Sequence, residues 1–129
     1  MKKIGIENIE NLVDGIVPKK WGEEIIIHND SDYCGKILRF KGGSRFSMHL
    51  HLKKIETWFV HSGEFELRYI DPENADEHFT VLNAGDVVEI PQGQPHQLFA
   101  RTDGEIFEVS TPHHDDDSYR VRKGDSQNG

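Results

Sequence analysis

The chain has 129 residues, with 35% hydrophobic and 29% charged residues and a formal charge of −8. This is the size of one domain with its own core, and no apolar run approaches the roughly 20 residues that span a bilayer. The acidic balance excludes a general nucleic-acid or anionic-membrane binder, and leaves room for a local basic pocket that takes one small anion.

In chain order, Met1-Lys2-Lys3 runs into glutamates and asparagines instead of an apolar signal region, which predicts a cytoplasmic protein. Residues 1–22 read as an N-terminal arm, with Pro18 breaking any regular element. Glu24 to His28 carries three consecutive isoleucines, a β-branched run. The lone cysteine, Cys34, excludes an internal disulfide and a Cys-rich zinc site, and reads as a small hydrophobe. Gly35 to Lys41 alternates, with Leu38 and Phe40 on one face and Arg39 and Lys41 on the other. Phe46 to Leu52, Thr57 to His61 and Glu64 to Ile70 read as further strands. Asp71-Pro72-Glu73-Asn74 is a strong turn. His78 to Leu82, Val87 to Ile90, His96 to Ala100 and Glu105 to Ser110 complete the set. Asp115-Asp116-Asp117 reads as a solvated turn, and Lys123 to Gly129 as a frayed tail. Many short strands with turn signals between them predict an all-β antiparallel sandwich or barrel over residues 23–112, followed by a C-terminal tail over 113–129.

Eight histidines stand out, and four side chains carry the chemistry. His49 and His51 are two apart, so on a strand they point to the same side. Glu56 lies far enough on to be presented from the next strand, and His96 arrives from a later one. Three imidazoles and a carboxylate inside a barrel make an N/O site for one divalent transition metal, with room for water or substrate. The plain alternative is a scatter of surface polar groups. Against it, the frequencies of glycine, histidine and glutamate put a chance match of the first glycine-bounded segment at under about 1 in 1,000.

These residues resemble the cupin superfamily. Its first motif, G-x5-H-x-H-x3,4-E-x6-G, fits Gly43, His49, His51, Glu56 and Gly63. Its second, G-x5-P-x-G-x2-H-x3-N, fits Gly85, Pro91, Gly93 and His96, with Ala100 in place of the final Asn, which is not a ligand. The resemblance implies a double-stranded β-helix (a jelly-roll barrel) holding zinc, manganese, iron or nickel, and a homodimer. A narrower resemblance, to the cupin half of type II phosphomannose isomerases, rests on Phe46 to His51, Glu56 to Gly63, Trp21-Gly22, Lys36 and Glu108-Val109. The stretch from Asp115 to Arg120 is similar to that family's acidic C-terminal segment. That family often has Gln where this chain has His49, the better ligand for iron.

The narrower resemblance implies an isomerase or epimerase of a sugar or sugar phosphate. Two strand parities bear on it. Lys36 shares its face with Leu38 and Phe40, which leaves two readings, an inward functional cation or a rim residue whose amine reaches out to solvent, the first slightly favoured. Glu108 shares its face with Ile106 and is the candidate base. Phe46, Met48, Trp58 and Phe99 are expected in the core or pocket wall. Gly63 and Gly85 read as turn glycines at positive φ. His28, His61, His78, His113 and His114 read as surface or rim residues, and Glu66 and Arg68 as a solvent-facing strand side. Two other functions share the ligand set: an Fe(II)-dependent dioxygenase, and a non-catalytic cupin that binds a small molecule.

Overall fold

A computed structural model describes residues 4–127. Eleven strands are described: β1 (Ile16–Lys19), β2 (Gly22–Asn29), β3 (Cys34–Phe40), β4 (Met48–Leu50), β5 (Glu56–Ser62), β6 (Glu64–Ile70), β7 (Glu77–Asn83), β8 (Val87–Ile90), β9 (His96–Ala100), β10 (Gly104–Ser110) and β11 (Tyr119–Arg122). One antiparallel sheet runs β1-β2-β3-β10-β5-β8, and the other runs β11-β4-β9-β6-β7. Four of the pairs nest: β6 with β7, β5 with β8, β4 with β9, and β3 with β10. Successive pairs alternate between the sheets, so the chain is one long hairpin wound into a double-stranded β-helix. Its tip is the predicted Asp71–Asn74 turn, where the Asp71 carboxylate accepts the Glu73 amide at 2.9 Å.

The interior follows from strand parity. Leu38, Phe40, Val60, Phe65, Leu98, Ala100 and Ile106 fill one end with apolar side chains. The same inward faces turn polar at the other end, where Lys36 lies opposite Glu108, and Glu108 opposite Trp58. The all-β barrel expected from the sequence is the fold observed.

Several local expectations are corrected. Pro18 lies within β1, where it needs no inner donor because β1 is the sheet edge. The run from Phe46 to Leu52 is strand only over Met48–Leu50. Phe99 is not core: its side chain is on the outer face, under the guanidinium groups of Arg45 and Arg68. Asp117 is not solvated but buried. Asp125–Gln127 forms a 3-10 turn whose Asp125 carboxylate accepts the Arg45 amide at 2.9 Å, so the expected fraying does not describe that stretch. Residues 128–129 of that expected tail, and the reading of Met1-Lys2-Lys3, lie outside the described residues. Among the described residues, no helix is long and apolar enough to cross a membrane.

Candidate metal centre

β4 and β9 meet at one register pair, His49 opposite His96. His51 extends the same inward face by two residues. The Gly93 amide donates to the His51 carbonyl at 2.7 Å, which ties the two motif segments together. Gly93 stands at φ 75, a conformation that favours glycine. Each of the three imidazoles offers a ring nitrogen, and these atoms lie within 4.8 Å of one another. Glu56 enters from β5 in the facing sheet, with Oε2 3.4 Å from His96 Nε2 and 3.9 Å from His51 Nε2. The structure therefore brings His49, His51, Glu56 and His96 together.

The second ring nitrogen of each histidine is already engaged. His51 Nδ1 is 2.9 Å from the Asp117 carbonyl and His96 Nδ1 is 2.8 Å from the Gln94 carbonyl. Both carbonyls only accept, so both rings donate from Nδ1 and carry a bare lone pair on Nε2. His49 Nδ1 is 3.0 Å from the Ser47 hydroxyl. His96 Nε2 and Glu56 Oε2 are buried without a hydrogen-bond partner among the described residues. Unpartnered buried polar atoms are costly, and a divalent cation between them removes that cost. Ligand atoms about 2.1 Å from a common ion stand about 3–3.5 Å apart, which the Glu56–His96 contact matches. The donor set thus fits a divalent transition metal.

Burial keeps these rings neutral, the form that binds metal. It pushes His96 down to about 4, against the opposing effect of its bond to the Gln94 carbonyl. Burial also lowers His51, and it lowers His49 well below the ordinary value, with the His96 and His51 charges adding to the effect on His49.

Lys54 was not anticipated. It is 3% exposed and sits between two buried carboxylates, with Nζ 2.7 Å from Glu108 Oε2 and 3.2 Å from Glu56 Oε1. The available signal was that it is two residues from Glu56. Burial opposes ionisation of all three groups, and the mutual contacts decide which carry charge. Lys54 stays protonated, because the two carboxylates outweigh its burial. Glu108 has the shorter contact and is held well below the carboxylate range by Lys54 and Lys36. Glu56 is pushed up by burial and by the Glu108 charge.

Lys36 does point inward, with Nζ 3.6 Å from Glu24 Oε1. His113 is more than a rim residue, since its Nδ1 is 3.2 Å from Lys54 Nζ. Burial and the Lys36 and Lys54 charges lower it to about 4. Asp117 takes part through hydrogen bonds to the β4–β5 loop and to His51. These groups surround a cavity of about 360 Å³, walled by Phe46 and Trp58 and rimmed by Lys19 and Arg120. The buried Trp58 indole N–H has no acceptor among the described residues, so it can donate to a ligand oxygen.

A family model described as "Cupin domain" matches residues 36–112. A search of the curated proteins finds no match. Among solved structures, the capsular polysaccharide assembling protein CapF from Staphylococcus aureus is similar at a TM-score of 0.73 and 20% identity, over 83% of this chain and 34% of that one. Oxalate decarboxylase from Bacillus subtilis is similar at a TM-score of 0.75 and 17% identity, over 92% of this chain and 33% of that one. The chain therefore spans about a third of the length of either protein, and at these identities the likeness is one of fold. With both motif segments converging on one three-histidine cluster and the family model covering most of the barrel, the chain belongs to the cupin family.

Proposed function

We propose that this protein is a metal-dependent isomerase or epimerase acting on a small hydroxy-carbonyl compound, a sugar or sugar phosphate. One observation carries the reading: the three histidines and Glu56 open onto the same cavity as Lys36, Lys54 and Glu108. A metal-ligand set, two cations and an ionised carboxylate thus face one bound molecule. His49, His51 and His96 hold the metal and Glu56 completes the set. The bound metal supplies Lewis-acid polarisation of substrate oxygens, which acidifies the neighbouring C–H. Oxalate decarboxylase, which is similar in fold, has Mn(II) centres, and this supports a divalent metal in the present site.

In this reading Glu108 takes the proton from carbon and returns it to the adjacent carbon for isomerisation, or to the same carbon for epimerisation; in isomerisation a hydroxyl proton also passes from one substrate oxygen to the other, so no oxidant is consumed. The contact with Lys54 weakens Glu108 as a base. A substrate oxyanion that draws Lys54 toward itself raises the basicity of Glu108 as the proton moves. Lys36 stabilises the enediolate or holds a phosphate, and the Trp58 indole donates to a substrate hydroxyl.

The test starts with elemental analysis of protein purified without a metal-affinity tag, with His51→Ala as control. Near-stoichiometric metal that is absent from the variant supports the site. Interconversion of aldose and ketose phosphates that stops on chelation and in Glu56→Ala supports the activity. Turnover that survives in metal-free Glu56→Ala removes it. The aromatic cavity wall favours one competing reading, Fe(II)-dependent oxygenation, which oxygen uptake by iron-loaded protein would identify. Thermal stabilisation by a ligand without any product would identify a binding module instead.

We also propose a homodimer packed through the outer face of the larger sheet. Ile16, Ile25, Ile37, Phe107, Phe59 and Val87 are successive register partners across all six strands; Ile25 is already buried within one copy and the other five are at least partly exposed. Strands about 4.8 Å apart make this an apolar band about 25 Å long. Beside it Arg39 is paired with both Glu23 and Glu105, so the flanking charges are largely neutralised and a second copy can approach.

A further inference from the structure

Residues 113–122 lie far along the chain from the ligands, yet they fold over the polar mouth of the barrel. β11 pairs with β4, the strand that carries His49. Just before β11, Asp117 is 2% exposed and makes five hydrogen bonds to a single short stretch. Its Oδ1 accepts the amides of Leu52 and Lys53 at 3.0 and 3.1 Å. Its Oδ2 accepts those of Lys53 and Lys54 at 3.2 and 3.1 Å. Its backbone carbonyl accepts His51 Nδ1 at 2.9 Å.

This stretch is the β4–β5 loop. It carries His51 at its start and Lys54 within it, and leads directly into Glu56, the first residue of β5. Its amides lie outside any strand ladder and need acceptors. From the other side it is held by the Gly93 amide on the His51 carbonyl and by the Gln92 side chain on the Lys53 carbonyl at 2.8 Å. Removing one clamp leaves the loop hinged on the other.

We propose that Asp117 is a positioning residue for the metal centre. Its carboxylate sets the loop, and its carbonyl fixes the His51 ring with Nε2 toward the metal. This rests on the metal-site reading above. An outer partner of this kind fixes both tautomer and ring direction, and losing one weakens metal affinity about 10–100-fold. Asp117 touches no metal and no substrate in this scheme. Its effect passes through His51.

The test compares the full-length wild type with Asp117→Ala, Asp117→Asn and Asp116→Ala. Asp116 is exposed in the same 3-10 turn and serves as the control. The first readout needs no metal: nitrogen NMR of the imidazoles in metal-free protein. The wild type is expected to show His51 protonated on Nδ1, and Asp117→Ala to weaken that preference, because the residue 117 carbonyl remains but the loop that holds the ring against it is released. The second is Zn2+ affinity by chelator competition. It is expected to fall about 10–100-fold in Asp117→Ala, to lie between in Asp117→Asn, which keeps one acceptor oxygen, and to stay within about twofold in Asp116→Ala. Wild-type His51 protonated on Nε2 overturns the proposal, as does undiminished Zn2+ affinity in Asp117→Ala. If Asp117→Ala does not fold, Asp117→Asn is judged by the same two criteria. Wild-type protein that binds no Zn2+ sinks the metal reading itself, whereas wild-type binding with an indifferent Asp117 variant sinks only the positioning role.

Discussion

At the scale of single residues, the polar end of the barrel depends on one cation. Lys54 joins Glu56 and Glu108, all three buried, so Lys54→Met leaves two buried carboxylates facing each other. Breaking a buried pair by removing one partner costs about 3–5 kcal/mol. Thermal melts should show Tm lower by about 10–20 °C, and a change of only a few degrees would mean the carboxylates find other partners. The buried histidines predict acid lability. Burial holds His96 at about 4, whereas the unfolded chain takes up that proton near pH 6.5. Between those values the unfolded state binds more protons, so stability is fully present above pH 6.5 and falls as the pH drops toward 4. His96 alone accounts for roughly 3 kcal/mol of that loss, with His49 and His51 acting in the same direction. Melts of metal-free protein from pH 7.5 to 4 test this, and a flat profile would show that water reaches the rings.

At the scale of elements, the turns differ in what they demand. Gly63 and Gly85 both stand at positive φ, as their places in the motifs predict. At Gly63 an added Cβ would lie 2.7 Å from the Asp103 carbonyl oxygen and 2.8 Å from Gly104 Cα, against backbone that cannot yield. At Gly85 it meets nothing. Gly63→Ala is therefore expected to cost about 2–3 kcal/mol in chemical denaturation, and Gly85→Ala about 1 kcal/mol. Equal costs would mean that conformation alone decides both. Most strands were legible because period-two alternation is local: Gly35 to Lys41 states its own inward and outward faces. β1 was not, because Pro18 reads as a breaker until the strand is known to be an edge. β11 was not, because Tyr119–Arg122 is short and wholly exposed.

For the whole molecule, the apolar band across the larger sheet is the feature that oligomerisation would explain. Phe59→Glu with Val87→Glu places two charges on it, at positions already exposed in one copy. Light scattering should find two copies for the wild type and one for this double variant. A wild type that elutes as one copy ends the dimer proposal. Metal loading should also stabilise the entire barrel, because the ligands come from both sheets and the unfolded chain has no preformed site. At a hundredfold excess over Kd the gain is about 2.7 kcal/mol, and a metal that leaves Tm unchanged is not bound at this centre.

Local pattern was enough to give the strand succession from β2 to β10, the inward face of Glu108, and the four motif side chains that converge. Alternation and motif spacing are properties of neighbouring residues, and the barrel repeats them faithfully. What surrounds those ligands emerges only once the barrel closes. Lys54 lies before its strand begins, so no strand parity pointed it inward. His113 and Asp117 reach the site from a segment whose local composition is that of an exposed acidic turn. Phe99 alternates like a strand residue, but nothing local told whether its face met the core or two arginines outside. The physical reason is the same in each case: burial and charge pairing depend on which distant strands close over a side chain. The nested pairing of β3 through β10, with β11 laid along β4, determines that.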